Sequence, residues 1–204
     1  MKNALRLSAA AMMALLIFFA SLTHAWQITK PLQDEIKQKQ ALVKANPDDP
    51  FARFDLAITY AYTNRIEEGW SELKKVNDLD PNFKKEALDK YLVLAEAYPN
   101  DWRVHYRLAF AYYFNDKKPK AIEELKKVIE LDPYNVFAYG YIGLIQGEMD
   151  QVDAAIYSVK KGLEIDPQVA ALHLLLSQAY YKKGKTWEGF WEGAEAVRLK
   201  ALGY

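Results

Sequence analysis

Prolines recur in this chain at a fixed distance. Pro47 and Pro81, Pro99 and Pro133, and Pro133 and Pro167 are each 34 residues apart, and the strings DLDP, ELDP and EIDP end at Pro81, Pro133 and Pro167. Punctuation at a fixed period is hard to reconcile with one core of unrelated elements. It fits a stack of like units, each burying its apolar face on the next. The period holds two helices and two turns. Three copies align without gaps at 50–83, 102–135 and 136–169, and a fourth, capping copy occupies 170–203, with Tyr204 after it.

Other positions recur in phase with the prolines. Positions 7, 8 and 11 of the copies read Leu56-Ala57-Tyr60, Leu108-Ala109-Tyr112, Ile142-Gly143-Gln146 and Leu176-Ser177-Tyr180. A small residue at 8 lets two helices approach, while large residues at 7 and 11 fill the space between them. Position 20 is small again, as Gly69, Ala121, Ala155 or Gly189. Position 15 is Asn64, Asp116, Asp150 or Gly184, residue types that tolerate a left-handed turn. With these residues the chain resembles the tetratricopeptide repeat family over about four-fifths of the part that follows the N-terminal leader. Gln146 and the lack of tryptophan at position 4 depart from the family pattern. The resemblance implies an all-α fold, a right-handed helix-turn-helix solenoid, with a concave groove that receives partner peptides.

The period breaks once. Pro81 and Pro99 are 18 residues apart, half a unit, and the intervening segment fits the second-helix template, with Ala87 at position 20, Tyr91 at 24 and Leu94 at 27. Residues 84–101 are therefore expected to hold a single inserted helix, and residues 26–49 an N-terminal helix, giving about eleven helices in all. An odd helix reverses the alternation of layers. The first helix of copy one should then lie opposite those of the later copies, with a continuous groove over 102–203 and an interrupted one before it.

The first 25 residues read as an export signal. Lys2 and Arg6 precede the apolar run Leu7–Leu22, and Thr23-His24-Ala25 places small residues before a cut at Trp26. The run is shorter than the roughly 20 residues that span a bilayer. Cleavage, giving a periplasmic or secreted bacterial protein, is the expectation; an uncleaved anchor, and with it membrane attachment, is the alternative. Removing the leader takes away two positive charges from a chain balanced at 27 against 27. A neutral chain is not the basic surface that nucleic acid requires, and the absence of cysteine excludes thiolate metal sites and thiol catalysis.

Catalytic groupings are missing from the sequence. His105 and His173 both fall at position 4, a packing position, without a second histidine at metal-ligand spacing. Gly184-Lys185-Thr186 imitates the end of a phosphate loop, but Ala179 stands where the leading glycine belongs. Asp49 before Pro50 reads as a helix cap rather than a cation ligand, and Glu123 with Lys127 as a solvated ion pair. No enzyme activity, metal or cofactor is expected.

Aromatic residues concentrate instead where the resemblance places the groove, at positions 2, 5, 9, 12 and 13. Copy two supplies Arg103, Tyr106, Phe110, Tyr113 and Phe114; copy three supplies Phe137, Leu144 and Glu148, with Gly140 and Gly147; copy four supplies Leu174, Gln178, Tyr181 and Lys182, with Ala171. Phe51, Phe54, Ile58 and Tyr62 of copy one would join them if its helix faced the same way. Only Lys182 could meet a terminal carboxylate of the kind that chaperone-type repeat clamps hold. The reading is a protein-interaction adaptor holding an apolar or aromatic peptide segment. Two alternatives stand beside it: a self-associating, homo-oligomeric structural protein whose groove is filled by its own or a neighbour's segment, and a glycan binder using exposed rings with Glu148 and Gln178.

Overall fold

The structure is a computed structural model that describes residues 29–204. The export signal proposed for residues 1–25 lies outside the described residues. Ten α-helices and no strands occur among the described residues: α1 (Lys30–Ala45), α2 (Pro50–Ala61), α3 (Ile66–Leu79), α4 (Phe83–Ala97), α5 (Trp102–Phe114), α6 (Lys118–Leu131), α7 (Val136–Glu148), α8 (Val152–Ile165), α9 (Ala170–Lys182) and α10 (Thr186–Ala201). One N-terminal helix, one inserted helix and four pairs account for all ten, one fewer than the sequence count. None of these helices is long and apolar enough to cross a membrane.

The helix boundaries follow local chemistry. Asp49 and Asp101 accept backbone N–H groups at the first turns of α2 and α5, and Asn135 does so for α7. Within the pairs, Asn64, Asp116 and Asp150 adopt φ of 58°, 57° and 63°, with Gly184 at 77°, so position 15 is the left-handed turn residue in all four copies. Small residues mark the helix crossings. A Cβ on Gly143 would lie 2.4 Å from the Val159 Cγ2, and one on Gly162 would lie 2.5 Å from the Leu172 Cδ2.

Pairs α2–α3, α5–α6, α7–α8 and α9–α10 form antiparallel hairpins, and α6 leads onto α7 and α8 onto α9 as in a regular stack. The inserted helix α4 packs on α5, burying Phe83, Ala87, Leu88 and Tyr91. The stack does not continue regularly through α4. Instead, α2 returns to contact α5 directly, bringing the first hairpin over the inner face of the later repeats.

Candidate functional site

The inner face of copy two is occupied by copy one. Phe54, Ile58 and Tyr62 of α2 stand at positions 5, 9 and 13, the same register as Tyr106, Phe110 and Phe114 of α5. The two sets meet: ring centroids are 5.2 Å apart for Tyr62 and Tyr106, 5.0 Å for Tyr62 and Trp102, and 6.3 Å for Phe54 and Phe114. Tyr106 and Ile58 are fully buried, and Phe54, Tyr62 and Phe110 nearly so. These side chains are core, which corrects the expectation of an open aromatic groove through copy two. The physical reason is that α2 returns onto α5 past the inserted α4, so that the two apolar faces meet and their area is buried internally. Phe51 is half-buried against Phe83 of α4 at 4.8 Å.

A buried charge cluster fixes this arrangement. Arg107 of α5 is 6% exposed. Its Nε donates to Asp55 of α2 at 3.0 Å, one terminal nitrogen donates to the Arg103 carbonyl at 3.0 Å, and the other lies 3.5 Å from Glu35 of α1. Glu35 also accepts from the Tyr62 hydroxyl at 2.5 Å and from Arg103 Nε at 2.9 Å, while Asp55 accepts from Lys39 at 3.0 Å and from the Tyr91 hydroxyl. Three helices, α1, α2 and α5, therefore converge on one guanidinium, and α4 joins the cluster through Tyr91. Burial alone would raise both carboxylates, but hydrogen bonds from Tyr62 and Arg103 and the nearby guanidinium charges hold Glu35 below its ordinary value. For Asp55, burial is likewise outweighed by the charges of Arg107 and Lys39 and by the Tyr91 hydrogen bond. Burial, helped by the Glu35 charge, pushes the Tyr62 phenol up to about 12, so it stays a neutral donor.

Beyond copy two the inner face opens. Ile66 and Trp70 of α3 form one wall of an apolar cleft of about 280 Å³, and Phe137, Gly140, Leu144, Leu174, Leu175 and Gln178 of α7 and α9 form the floor and opposite wall. It adjoins a larger cleft of about 510 Å³ between Asn64–Glu68 and Ala171, Leu174, Val197 and Tyr204. The Lys200–Glu67 ion pair, 2.6 Å long, bridges its mouth. Trp70 is 48% exposed and also lines a cleft of about 270 Å³ on its other side, with Leu73, Phe83, Ala87 and Phe114. Nothing in the periodic pattern singled out Trp70 or Ile66, because their role depends on α3 crossing the later repeats.

The polar residues expected in the groove are engaged locally. Glu148 accepts from the Tyr113 hydroxyl at 2.8 Å and pairs with Lys118 at 3.2 Å. Lys182 pairs with Asp150 at 2.8 Å and donates to the Gly147 carbonyl at 2.9 Å. Arg103 is tied to Glu35. Phe137 is buried beneath the cleft, Leu144 is half-buried at its surface, and Leu174, Gln178 and Tyr181 are exposed. His105 lies between Glu124 at 2.7 Å and the Pro99 carbonyl at 2.9 Å. His173 repeats this arrangement with Glu192 at 2.6 Å and the Pro167 carbonyl at 2.9 Å. Both histidines thus tie the first helix of a copy to the second helix and to the turn before it. No group of three or more potential metal ligands occurs among the described residues.

Residues 102–135 match the family model "Tetratricopeptide repeat". The chain is 28% identical over 120 residues to Hsp70-Hsp90 organizing protein 2 of Arabidopsis thaliana, covering 51% of this chain and 21% of that protein. It is 27% identical over 149 residues to Hsp70-Hsp90 organizing protein 1 of Glycine max, and spans only about a fifth to a quarter of the length of these relatives. Among solved structures it is similar to YrrB, described as a TPR protein with an unusual peptide-binding site, at 17% identity and a TM-score of 0.54 over 80% of this chain and 92% of that one. That likeness concerns the fold. With the phased positions, the four hairpins and the matched segment together, this chain contains a tetratricopeptide repeat at residues 102–135 within an all-α helical repeat solenoid.

Proposed function

We propose that this chain is a non-catalytic protein-interaction adaptor of the cell envelope, holding an apolar peptide segment in the cleft between α3 and helices α7 and α9. One observation carries the reading: an open, apolar cleft walled by Ile66 and Trp70 and floored by Leu144, Leu174 and Leu175. Its walls come from well-packed helices, so a ligand need not order them on binding. The clefts flanking Trp70 suit side chains of an extended or amphipathic segment. The relatives named as organizing proteins and the neighbour described as peptide-binding support an interaction role. The envelope assignment rests on the N-terminal signal pattern.

The test is titration with a panel of apolar and aromatic peptides, followed by backbone chemical shifts. Perturbations should cluster on α3, α7 and α9. Leu174, 51% exposed, can be changed to Asp without emptying the core, and that substitution should weaken binding at least tenfold. Lys182→Ala should change affinity less than about threefold, as expected of an exposed rim charge. Normal binding by a folded Leu174→Asp variant would sink the cleft assignment.

A further inference from the structure

Helix α10 carries apolar side chains on both faces. Gly189, Ala196 and Leu199 are buried on its inner side. At about 100° per residue, Trp187, Phe190, Trp191 and Ala194 lie on the side turned away from the core, and Val197 lies at its edge, beside the cleft to α3. Exposures of 73%, 49%, 66% and 72% for Trp187, Phe190, Trp191 and Val197 confirm it. The equivalents of Phe190 and Val197 in α6 are Ile122 and Ile129, which pack into the core as the next repeat covers them. The equivalents of Trp191 and Ala194 are Glu123 and Lys126, both exposed and charged. The outer face of α10 thus keeps the apolar docking positions of a repeat and replaces its solvated ones, yet no described element covers it.

The spacing of Trp187, Phe190, Ala194 and Val197 is 3, 4 and 3, the seam of a helix–helix pair. We propose that α10 docks antiparallel onto α10 of a second copy of this chain. One feature of the seam selects that occupant. With the two-fold axis level with residue 192, Trp187 faces Val197 of the second copy and Phe190 faces its Ala194, so every layer sets a large residue against a smaller one, whereas a parallel pair would set Trp187 against Trp187 and Phe190 against Phe190.

Area fits as well. Rings that bury roughly 150–250 Å² each, at the exposures above, contribute about 700–800 Å² over two copies. With Val197 and the seam margins, this reaches the lower end of specific interfaces and implies a reversible dimer. Head-to-tail growth through α1 is disfavoured, because the exposed side of α1 is mostly polar, with Gln38, Lys37 and Lys44 around Leu42.

Sedimentation of the full chain should show one-chain mass rising to two over roughly 1–100 μM. Trp187→Ala with Phe190→Ala should move the midpoint at least tenfold upward while helical content is unchanged, because both side chains are exposed. The chain has no cysteine, so register can be read directly. Copies carrying Phe190→Cys mixed with copies carrying Ala194→Cys should form a mixed disulfide in preference to either like pair. Three outcomes overturn the proposal: one-chain mass throughout the range, like-pair cross-linking of Phe190→Cys in preference to the mixed pair, or binding to phosphatidylcholine vesicles by a chain that stays monomeric in solution.

Discussion

Replacing Arg107 with methionine keeps most of the side-chain volume and removes the charge on which α1, α2 and α5 converge. Taking away one partner of a buried ion pair costs about 3–5 kcal/mol when the other is left unpaired. Here Asp55 keeps Lys39 and the Tyr91 hydroxyl, Glu35 keeps Arg103 and Tyr62, and the Asp55 side chain is 22% exposed. The expected loss is therefore smaller, about 2–4 kcal/mol. Urea unfolding followed by helical circular dichroism measures it. A double-mutant cycle with Asp55→Asn should return a coupling of about 1–3 kcal/mol, as for groups in one network. Hydrogen exchange should quicken first in α1 and α2, which the cluster holds onto α5. A loss below about 1 kcal/mol, or strictly additive single substitutions, would refute the assignment of Arg107 as the clamp between copy one and copy two.

Glu35 and Asp55 are both held below their reference values of 4.5 and 3.8, so they contribute stability above those values that is lost as pH falls through their folded values. Urea midpoints should therefore be steady near neutrality and drop on acidification below about pH 4, and a Glu35→Gln, Asp55→Asn variant should show a shallower drop. The Tyr106 hydroxyl is buried without a hydrogen-bond partner among the described residues, so Tyr106→Phe should leave stability unchanged or raise it by up to about 1 kcal/mol. Phe110→Ala, by contrast, should cost about 3–5 kcal/mol in the same assay, because its ring is 6% exposed and stacks at 5.8 Å on Tyr106. Intact mass of the exported chain should correspond to a start at Trp26; retention of residues 1–25 would replace export and release with anchoring.

The repeat was legible because its restraints are local and phased. Position 15 must be left-handed and positions 8 and 20 must be small wherever two helices cross, so Asn64, Gly143 and Ala121 announce themselves. The inserted helix was legible through the 18-residue interval. What the period could not convey is where the first hairpin travels. Tyr106 and Phe110 have the same residue types whether they face a peptide or face Phe54 and Tyr62, because apolar burial is non-directional. Glu35 and Arg107 were illegible for a related reason. A charged residue reads as surface until a partner distant in sequence accompanies it into the interior. Trp70 became a cleft wall only through that long-range crossing.

The return of copy one also changes how this molecule should unfold. In an ordinary repeat array each unit touches only its neighbours, so stability is a sum of local terms and the ends fray independently. Here Glu35 bonds Arg103 across 68 residues, Tyr141 approaches Ala61 across 80, and Lys200 pairs with Glu67 across 133. These links close large loops and tie the N-terminal helices to every later repeat, at the cost of slower folding through distant contacts. The array becomes a single cooperative unit: losing α1 and α2 would expose the inner faces of α5 and α7, and the damage would reach repeats more than a hundred residues along the chain.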